Sequence, residues 1–326
     1  MIEVIAGARI HISLADMGFA SARAFGGVGF MIDQPKIRIH LQSSRSLEWH
    51  GFEALDETAQ QECRSLGQGI VAKAETGAII RLHEHTPQHI GLGSKTALRL
   101  SLIAGLHALL GIEADRALQQ QLSGRGGGSG IGIHGFFEGG VLWDVGHPSG
   151  NVETLLPSNA SSPHGIPPLM LRCPFQDCWR IGLCLSEGTP TCGMEERAFF
   201  ERETPVDASD ALRAMAALYH GVLPAFRLAD LDALRSALAT LNAVGFKARE
   251  IAFRGEPVKS LLGALLDRGY AASMSSMGPL VFAIFEADAA EREEELRSLC
   301  AHSGAKWLGV ARGLNKSARL IRNTDR

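Results

Sequence analysis

The sequence predicts a mixed α+β or α/β protein built from two layers of secondary structure. Segments in which apolar and polar residues alternate are followed by segments with helical spacing, in both halves of the chain. The length of 326 residues is enough for about two domains that each bury a core. Hydrophobic residues are 45% and charged residues 21% of the chain, which is ordinary for a globular protein and argues against disorder.

Two alternating strands open the chain. In "ARIHISL" (8–14), Ile10 and Ile12 point to one side, whereas Arg9 and His11 point to the other. This alternation predicts a half-buried strand with a polar, candidate functional face. A turn-rich stretch follows, and "KIRIHLQ" (36–42) predicts a second alternating strand.

The other elements of the first half are predicted from the same strand and helix periodicities. Leucines recur at helical spacing from Thr96 to Leu110, and Gly111 is a suitable end for that helix. The stretch "GIGIHGFFEGGVLWDVGH" (130–147) predicts a hairpin with a Glu-Gly-Gly turn. We also expect a helix over 53–76, a strand over 78–85 and an irregular connection over 150–170.

The second half repeats the alternation of strands and helices. It is predicted to begin with the strand "WRIGLCLSE" (179–187), and a small polar loop, "SMSSMGP" (273–279), precedes the strand "LVFAIF" (280–285). The other expected elements are helices over 193–203, 208–224, 228–243, 257–268 and 288–304 and a final strand over 305–314. We therefore divide the chain into domains of residues 1–162 and 163–326.

Charge and cysteine content limit the partners and the compartment. The net charge is −3, from 32 basic and 35 acidic residues, which argues against a general nucleic-acid binder. No signal peptide is recognised, and the apolar stretch 101–113 is too short to span a membrane. Six cysteines in such a chain are expected to be reduced thiols. We therefore expect a cytoplasmic protein with no nucleic-acid or membrane partner.

The sequence does not identify metal ligands. The cysteines do not have the two-residue gap that is usual for zinc, so buried structural thiols compete with a zinc site. For the histidines, a metal site competes with simple exposure, since alternation on a strand exposes such residues without any metal. The residues concerned are Cys173, Cys178, Cys184, Cys192, His83, His85 and His89.

Three glycine- and serine-rich loops lie at element boundaries. Glycines let backbone N–H groups approach an anion, and the start of a helix adds unpaired N–H donors and a partial positive charge. An arginine beside such donors is a natural phosphate clamp. A tight turn capped by Ser94 and a plain flexible linker are the ordinary alternatives. The candidate anion-binding residues are Gly91, Gly93, Ser94, Lys95 and Thr96 in "HIGLGSKT", Arg125, Ser129 and Gly130 in "GRGGGSGIG", and Ser275, Ser276 and Gly278 in the third loop.

The motifs resemble those of the GHMP kinase superfamily, and within it the β-ribofuranosylaminobenzene 5'-phosphate synthase family. The resemblance covers nearly the whole chain, and "GRGGGSGIG" followed by "GGVLWDVGH" is its specific part. It rests on "ARIHISL", "FGGVGF" (25–30), "HIGLGSKT", "GRGGGSGIGIHGF", "EGGVLWDVGH" and "SMSSMGPLVFA". It implies an α+β fold of two domains, an N-terminal β-α-β domain and a C-terminal ferredoxin-like sandwich.

Some residues depart from the related patterns. Many GHMP kinases carry "PSGxD" where this chain reads "GSGIG", and Gly132 stands at the place of the aspartate. A glycine neither accepts a proton nor orients a hydroxyl, so kinase chemistry is disfavoured. Lys95 stands where synthases commonly have a small residue, and Val145 stands where a glycine is frequent.

The resemblance implies a decarboxylating ribosyltransferase. Such an enzyme joins phosphoribosyl pyrophosphate to 4-aminobenzoate or 4-hydroxybenzoate, releases carbon dioxide and pyrophosphate, and serves tetrahydromethanopterin biosynthesis. Mg²⁺ is expected to assist the leaving pyrophosphate, no organic cofactor is expected, and a homodimer is expected. An ATP-dependent small-molecule kinase and a non-catalytic phosphosugar-binding protein are the competing hypotheses.

The implied chemistry assigns roles to the remaining polar residues. An oxocarbenium-like sugar favours a nearby carboxylate, for which Asp144 and Asp16 are candidates, with Arg125 in the pyrophosphate clamp. For Asp144, capping of the hairpin turn is the alternative. The acceptor's carboxylate and the rest of the substrate are assigned to Arg9, His11, Arg23, Gly26, Gly27 and His147. For Arg23 and His147, a surface position and a structural histidine are the alternatives.

Overall fold

A long hairpin forms the centre of the first half of the chain. The computed structural model describes residues 1–72, 74, 76–158, 160, 165–189, 193–287 and 290–322. The strands in this half are β1 (Ile2–Asp16), β2 (Arg23–Ser44), β3 (Glu48–His50), β4 (Gly77–Glu84), β5 (Val141–Asp144), β6 (His147–Pro148) and β7 (Leu169–Cys173). The helices are α1 (Glu57–Val71), α2 (Ser94–Leu110), α3 (Arg116–Ser123) and α4 (Ile131–Glu138).

The second half is mostly helical around four strands and returns to the first sheet at its end. Its helices are α5 (Met194–Glu203), α6 (Ala208–Ala216), α7 (Leu223–Leu228), α8 (Leu231–Asn242), α9 (Gly245–Arg254), α10 (Glu256–Asp267) and α11 (Ala290–His302). A π-helical segment, Ala217–Val222, joins α6 to α7. The strands of this half are β8 (Trp179–Leu185), β9 (Ala271–Met274), β10 (Leu280–Glu286), β11 (Lys306–Ala311) and β12 (Arg319–Arg322).

Two separate sheets organise these elements. The first runs β12-β1-β2-β4-β3, with β5 and β6 also paired to β2 and with β7 paired to β5. The second is antiparallel and runs β11-β8-β10-β9. The fold is therefore mixed α+β, as the sequence predicts. The boundary at 162/163 lies outside the described residues, so that division stays a prediction.

Apolar clusters cover the faces of both sheets. One cluster joins Ile10 and Ile12 of β1 to Phe282 of β10 and to the helices of the second half. A second packs α2 on the first sheet, through residues such as Leu102. A third packs α10 and α11 on the second sheet. The core is thus continuous from one sheet towards the other through β1.

Most predicted elements are confirmed with shifted ends, and two interpretations are wrong. The segment 131–138 is the helix α4 and not the first strand of a hairpin; β5 pairs with β2 and β7 instead. The spacing of Ile131 and Ile133 suggested a strand, but two residues are too few to fix a period. Strand β1 is buried on both faces, because loops and α4 cover the side that carries His11.

Candidate active site

A β-bulge beside His11 shapes the polar side of β1. His11 is opposite Gly29 on β2 and Ser13 is opposite Val28, so β1 carries one extra residue between them. Such a bulge bends a strand and re-aims its side chains. Strand β2 carries glycines at the matching positions, and a Cβ on Gly29 would lie 2.8 Å from Ile131 Cγ2 at the start of α4. The glycines of β2 therefore let α4 begin directly against the sheet.

Three polar side chains form a connected chain at this point. His11 Nε2 lies 3.2 Å from Ser129 Oγ, and Ser129 Oγ donates to Asp144 Oδ2 at 3.0 Å. His11 is 4% exposed and Asp144 is fully buried, whereas Ser129 is half-buried. A Cβ on Gly27 would lie 2.9 Å from both His11 Nε2 and Ser129 Oγ. Gly27 thus leaves the space that these hydrogen-bonded side chains occupy.

The Asp144 carboxylate is enclosed by donors. Its Oδ2 also accepts the N–H of Gly130 at 3.0 Å, and its Oδ1 accepts the N–H of Gly146 at 3.0 Å. Burial nevertheless raises the pKa of Asp144 to about 7, against the opposing effect of these hydrogen bonds and of Arg23. Burial likewise lowers the pKa of His11 well below its usual range, so His11 is neutral. Asp144 therefore reaches a bound molecule through Ser129 and not directly.

Two arginines make the neighbouring part of the site strongly cationic. Burial and the positive field of Arg125 lower the pKa of Arg9 to about 10, so that both remain charged at neutral pH. Arg9 Nη1 is buried and has no hydrogen-bond partner among the described residues. Arg125 Nε donates to Thr96 Oγ1 at 3.2 Å, and its Nη1 donates to Ser158 O at 3.3 Å. Two half-buried arginines whose charges repel each other favour a bound anion between them and the helix end.

The first turn of α2 adds backbone donors to the arginines. A Cβ on Gly93, which has a φ of 68°, would lie 2.5 Å from Arg9 Cγ. Gly93 is also the N-cap of α2, so Ser94 is the first helical residue and not the cap. The first N–H groups of a helix have no partner within the helix, and the helix dipole makes this end positive. The glycine loop therefore brings α2 to Arg9 as an anion-binding end.

The amine of Lys95 is directed to α1. Lys95 Nζ lies 2.6 Å from Glu62 Oε1, and Arg99 Nη1 lies 3.5 Å from Glu62 Oε2. The positive charge of Arg99 also lowers the pKa of Arg125. The structure thus ties Lys95 to an ion-pair network at the rim of the cationic part.

The third predicted loop holds β1 to the glycine loop before α2. Ser275 Oγ donates to Gly91 O at 2.6 Å and accepts the N–H of His11 at 3.1 Å, while the N–H of Ser276 donates to His11 O at 2.9 Å. A Cβ on Gly278 would lie 2.1 Å from Ile90 O, so the loop packs backbone to backbone on the glycine loop of α2. Ser275, Ser276 and Gly278 therefore position β1 and the α2 loop.

The remaining candidates stabilise the turn after β5 and the turn after β1. Arg23 donates to Val145 O at 2.8 Å and to Gly146 O at 2.6 Å. Asp16 Oδ1 accepts the N–H groups of Gly18 and Ala20 in its own turn. His147 Nε2 also lies 3.1 Å from Gly126 O. Gly26 has a φ of 68° and lets the backbone pass close to Gly146. These residues shape the loops around Asp144.

The histidines and cysteines considered for a metal do not meet. His83 stacks on His40, His89 contacts Asp56 and His85 contacts Thr86 O. Cys184 pairs with Cys300, whereas Cys192 lies outside the described residues. Within the described part of the chain, no three His, Cys, Asp or Glu side chains are placed to hold a metal ion.

Sequence reasoning missed one buried ion pair below the loops. Lys247 of α9 is fully buried, lies 2.6 Å from Glu250, and donates to the carbonyls of Met274 and Ser276. It adds positive charge near His11 and lowers the pKa of that histidine. A lysine and a glutamate three residues apart are the ordinary pattern of an exposed helix face, so no sequence signal marks this pair.

Comparison with known proteins finds related proteins that match most of this chain. The β-ribofuranosylphenol 5'-phosphate synthase of Archaeoglobus fulgidus is 31% identical over 305 residues, which is 93% of this chain and 94% of that protein. This chain belongs to the β-ribofuranosylphenol 5'-phosphate synthase family. The proteins of the same name from Methanothermobacter thermautotrophicus and Methanocaldococcus jannaschii are each 28% identical over 287 residues. No family model matches the chain.

Solved structures show the same fold at low sequence identity. Homoserine kinase from Cytophaga hutchinsonii is 17% identical with a TM-score of 0.66, covering 98% of this chain and 97% of that one. Phosphomevalonate kinase from Streptococcus pneumoniae is 11% identical with a TM-score of 0.66, covering 94% and 98%. This chain therefore has the GHMP-kinase fold. No helix in the described residues has the length and apolarity needed to cross a membrane.

Proposed function

We propose that the protein is a decarboxylating C-ribosyltransferase. It condenses 5-phosphoribosyl 1-pyrophosphate with a para-substituted benzoate, and releases carbon dioxide and pyrophosphate. The product, a β-ribofuranosylbenzene 5'-phosphate, enters the synthesis of tetrahydromethanopterin-type one-carbon carriers. Family membership supports this class of reaction, because the relatives are named as synthases of β-ribofuranosylphenol 5'-phosphate.

The observation that carries the proposal is the meeting of Arg9 and Arg125 at the start of α2. Two half-buried guanidinium groups and the N–H groups of a helix end that have no partner within the helix match an oxygen-rich anion such as a diphosphate. As the bond from the sugar to the diphosphate breaks, negative charge grows on the leaving oxygen. Donors fixed in advance around that charge lower the barrier, because they need no reorganisation during the reaction.

The carboxylate of the benzoate has to be bound and then lost. Arg9 Nη1, buried and without a partner among the described residues, is the donor that we assign to this group or to the adjoining phosphate. Neutral His11 lies two residues along β1 from Arg9, and Ser129 faces it from the next loop. We assign the attack of the acceptor ring on the sugar to this end of the site. Asp144 sits behind them and acts through Ser129.

The described residues do not fit a Mg²⁺ ion held by the protein alone. Mg²⁺ takes oxygen ligands, but the Glu62 carboxylate at the rim of the cationic part is paired with Lys95 and Arg99, and the Thr96 hydroxyl accepts from Arg125. We include Mg²⁺ in the proposal as the counterion that enters with the diphosphate, and we assign no step to it.

The relatives' name favours 4-hydroxybenzoate over 4-aminobenzoate as the acceptor, because their product is a phenol. A kinase is the second candidate, since the solved neighbours include homoserine and phosphomevalonate kinases. Against it, Gly132 faces Thr96 in the first turn of α4 and offers no side chain to orient an accepting hydroxyl.

The proposal extends to the setting of the enzyme. We place it in the cytoplasm, as a homodimer without nucleic-acid or membrane partners, with two domains that meet near residue 162. Gel filtration with light scattering tests the dimer, and a monomer at assay concentration would remove that part alone.

The experiment uses purified protein, phosphoribosyl pyrophosphate, Mg²⁺ and either benzoate labelled at its carboxyl carbon. Label released as carbon dioxide only when the sugar diphosphate is present supports the synthase. ATP consumption with candidate alcohols runs in parallel. No release with either acid, together with ATP turnover, would assign the chain to the kinases.

A matched pair of arginine variants links the assay to the site. Arg125→Ala should lower kcat/KM by roughly 100-fold, the size seen when one charge-stabilising donor is removed. Arg45→Ala, at an exposed arginine between β2 and β3, should leave activity unchanged. Equal activity in the two variants would remove Arg125 from the clamp.

A further inference from the structure

The hydrogen-bond chain from His11 through Ser129 to Asp144 has a defined donor direction, and the proposed function gives this direction no chemical role. Ser129 Oγ donates its hydrogen to Asp144 Oδ2, so His11 Nε2 must donate to Ser129 Oγ when Asp144 is ionised. When Asp144 is protonated, its O–H donates to Ser129 Oγ, the Ser129–Asp144 bond reverses, and the serine hydrogen turns towards the open side, while His11 Nε2–H still donates to Ser129 Oγ. The arrangement therefore has two states that differ by one proton stored at Asp144.

Only one member of the chain is accessible to a substrate. Asp144 is fully buried and His11 is 4% exposed, but Ser129 is half-buried at the end of a glycine run that begins after Arg125. The N–H of Ile131 also donates to Ser129 Oγ at 3.3 Å, which fixes the hydroxyl at the start of α4. A proton that leaves a bound molecule at this point passes through the Ser129 hydroxyl.

We propose that Ser129 and Asp144 form a proton relay that ionises the phenol of a hydroxybenzoate acceptor during the ribosyl transfer. This inference rests on the proposed function and specifies the acceptor as a phenol. Ser129 contacts the phenol oxygen, and Asp144 is the positioning residue and proton store behind it. His11 supplies the second hydrogen bond that keeps the serine hydroxyl in line.

The step balances without any further reactant. The phenol O–H takes the acceptor position on Ser129 Oγ that the long bond from the Ile131 N–H fills in the free protein, while His11 Nε2–H keeps the other position. The phenol proton then moves to Ser129 Oγ while the serine proton moves to Asp144 Oδ2. The ring carbon that bears the carboxylate then attacks the anomeric carbon, and the electron pair of the breaking C–O bond leaves with the diphosphate. The carbon–carboxylate bond breaks next, carbon dioxide departs, and its electron pair restores the ring as a phenolate. The proton returns from Asp144 through Ser129.

An aminobenzoate acceptor does not need the relay. The nitrogen lone pair of a neutral amine pushes into the ring without prior loss of a proton, and it is recovered when carbon dioxide leaves. Removal of the relay should therefore affect a phenol more than an amine. A purely structural role would lower turnover of both acceptors to the same extent.

The charges around the relay are compatible with a store that exchanges its proton near neutral pH. Burial raises the pKa of Asp144 to about 7. The groups that face the relay are His11 from β1, Arg23 from β2 and Tyr219 from the π-helical segment, with Arg9 and Lys247 behind His11. The guanidinium of Arg23 is committed to two carbonyls, and burial raises the pKa of Tyr219 to about 12, so Tyr219 stays neutral.

The test compares Ser129→Ala and Asp144→Asn with the wild type on both acceptors. Each variant should lose about 100-fold in kcat with 4-hydroxybenzoate at pH 7, the lower range for a lost acid–base group. The loss with 4-aminobenzoate should be at least roughly tenfold smaller, because an amine acceptor makes no use of acid–base help. Ser260→Ala, at an exposed serine of α10, is the control for handling and folding.

The pH profile gives a readout that a structural role would not move. The wild-type rate with 4-hydroxybenzoate should rise through about pH 7 and then level, as Asp144 becomes able to accept. The Asp144→Asn rate should instead continue to climb towards the pKa of the free phenol, roughly 10 for a phenolic group.

Each outcome separates the two proposals. Equal losses on both acceptors, or no change in the pH profile, would overturn the relay and leave the ribosyltransferase standing. A wild type that uses 4-aminobenzoate alone would overturn the relay as well. If the wild type uses 4-hydroxybenzoate alone, the difference in pH profile between the wild type and Asp144→Asn decides whether the relay stands. No label release from the wild type with either acid would remove the proposed function itself.

Discussion

At the scale of single residues, the site depends as much on missing side chains as on present ones. Gly27 lies where a Cβ would touch His11 and Ser129, and Gly93 lies where it would touch Arg9. These glycines bring charged and hydroxyl groups of different elements to hydrogen-bond distance. The glycine-rich motifs of the sequence therefore report close packing of functional groups and not flexibility.

Gly27→Ala should disrupt the site more than the fold around it. The new methyl would stand 2.9 Å from His11 Nε2 and Ser129 Oγ, so one of them must shift. We expect a stability loss of about 1–3 kcal/mol from overpacking, together with loss of ribosyl transfer. Urea denaturation and the carbon dioxide assay measure the two effects.

The matched control is Gly69→Ala in α1, where a Cβ would meet nothing within 4 Å. That variant should gain about 0.5–1 kcal/mol, since alanine is the better helix former. An active Gly27→Ala protein of wild-type stability would show that the space at Gly27 is not needed.

Asp144 should make stability depend on pH in a defined direction. Its pKa is raised from 3.8 to about 7 in the folded state, so the folded protein holds a proton that the unfolded chain has lost. The contribution to the free energy of unfolding is complete below pH 4 and is lost as pH rises through about 7. The stability difference between the wild type and Asp144→Asn should therefore fall between pH 4 and 7. Urea titrations at several pH values measure it, and a difference that rises with pH would contradict the burial of Asp144.

At the scale of elements, α9 supports the loop that joins β1 to the glycine loop before α2. Lys247 and Glu250 are buried together, and the lysine amine donates to two carbonyls of residues 274–276. That loop in turn holds His11 and Gly91 through Ser275. A helix with no residue in the sequence motifs thus fixes the position of β1.

Lys247→Ala should be strongly destabilising. It leaves the Glu250 charge buried without its partner, which costs about 3–5 kcal/mol. The expected result is a lower midpoint in urea and a raised KM for the sugar diphosphate. The double variant Lys247→Met, Glu250→Leu should recover much of the stability but not the KM, because the two loop hydrogen bonds stay absent. Lys259→Ala, at an exposed lysine of α10, is the control; a neutral Lys247→Ala would contradict the role of the pair.

Helix α4 shows how a short element escapes sequence reasoning. Its eight residues contain two glycines, Gly132 and Gly135, which interrupt the apolar pattern, and Ile131 and Ile133 are spaced as in a strand. The helix forms because the N–H of Ile131 is capped by Ser129, His134 bonds back to Gly130 O, and both isoleucines are buried. Tertiary contacts decide the conformation where local periodicity is ambiguous.

At the scale of the whole molecule, Ser275 links the two sheets at the site. It follows β9 of the second sheet, accepts from β1 of the first, and donates to the loop before α2. Ser275→Ala leaves the His11 N–H and the Gly91 carbonyl without this partner, at about 1–3 kcal/mol. We expect a matching fall in stability and a higher KM for the sugar diphosphate, measured by denaturation and kinetics. The exposed Ser260→Ala variant should show neither change, and equal behaviour of the two serines would contradict the link.

The sequence by itself determined the fold class, the main elements and the family, because these depend on periodicity and on local motifs that need no partner. It also picked out Arg9, Arg125, Ser129 and Asp144 as polar residues beside glycine loops. Only the tertiary structure decided that Asp144 is enclosed behind Ser129, that Lys95 is tied to Glu62, and that Lys247 is buried. Burial and pairing arise from segments far apart in the chain, and no local pattern encodes which of two charged residues will face the core.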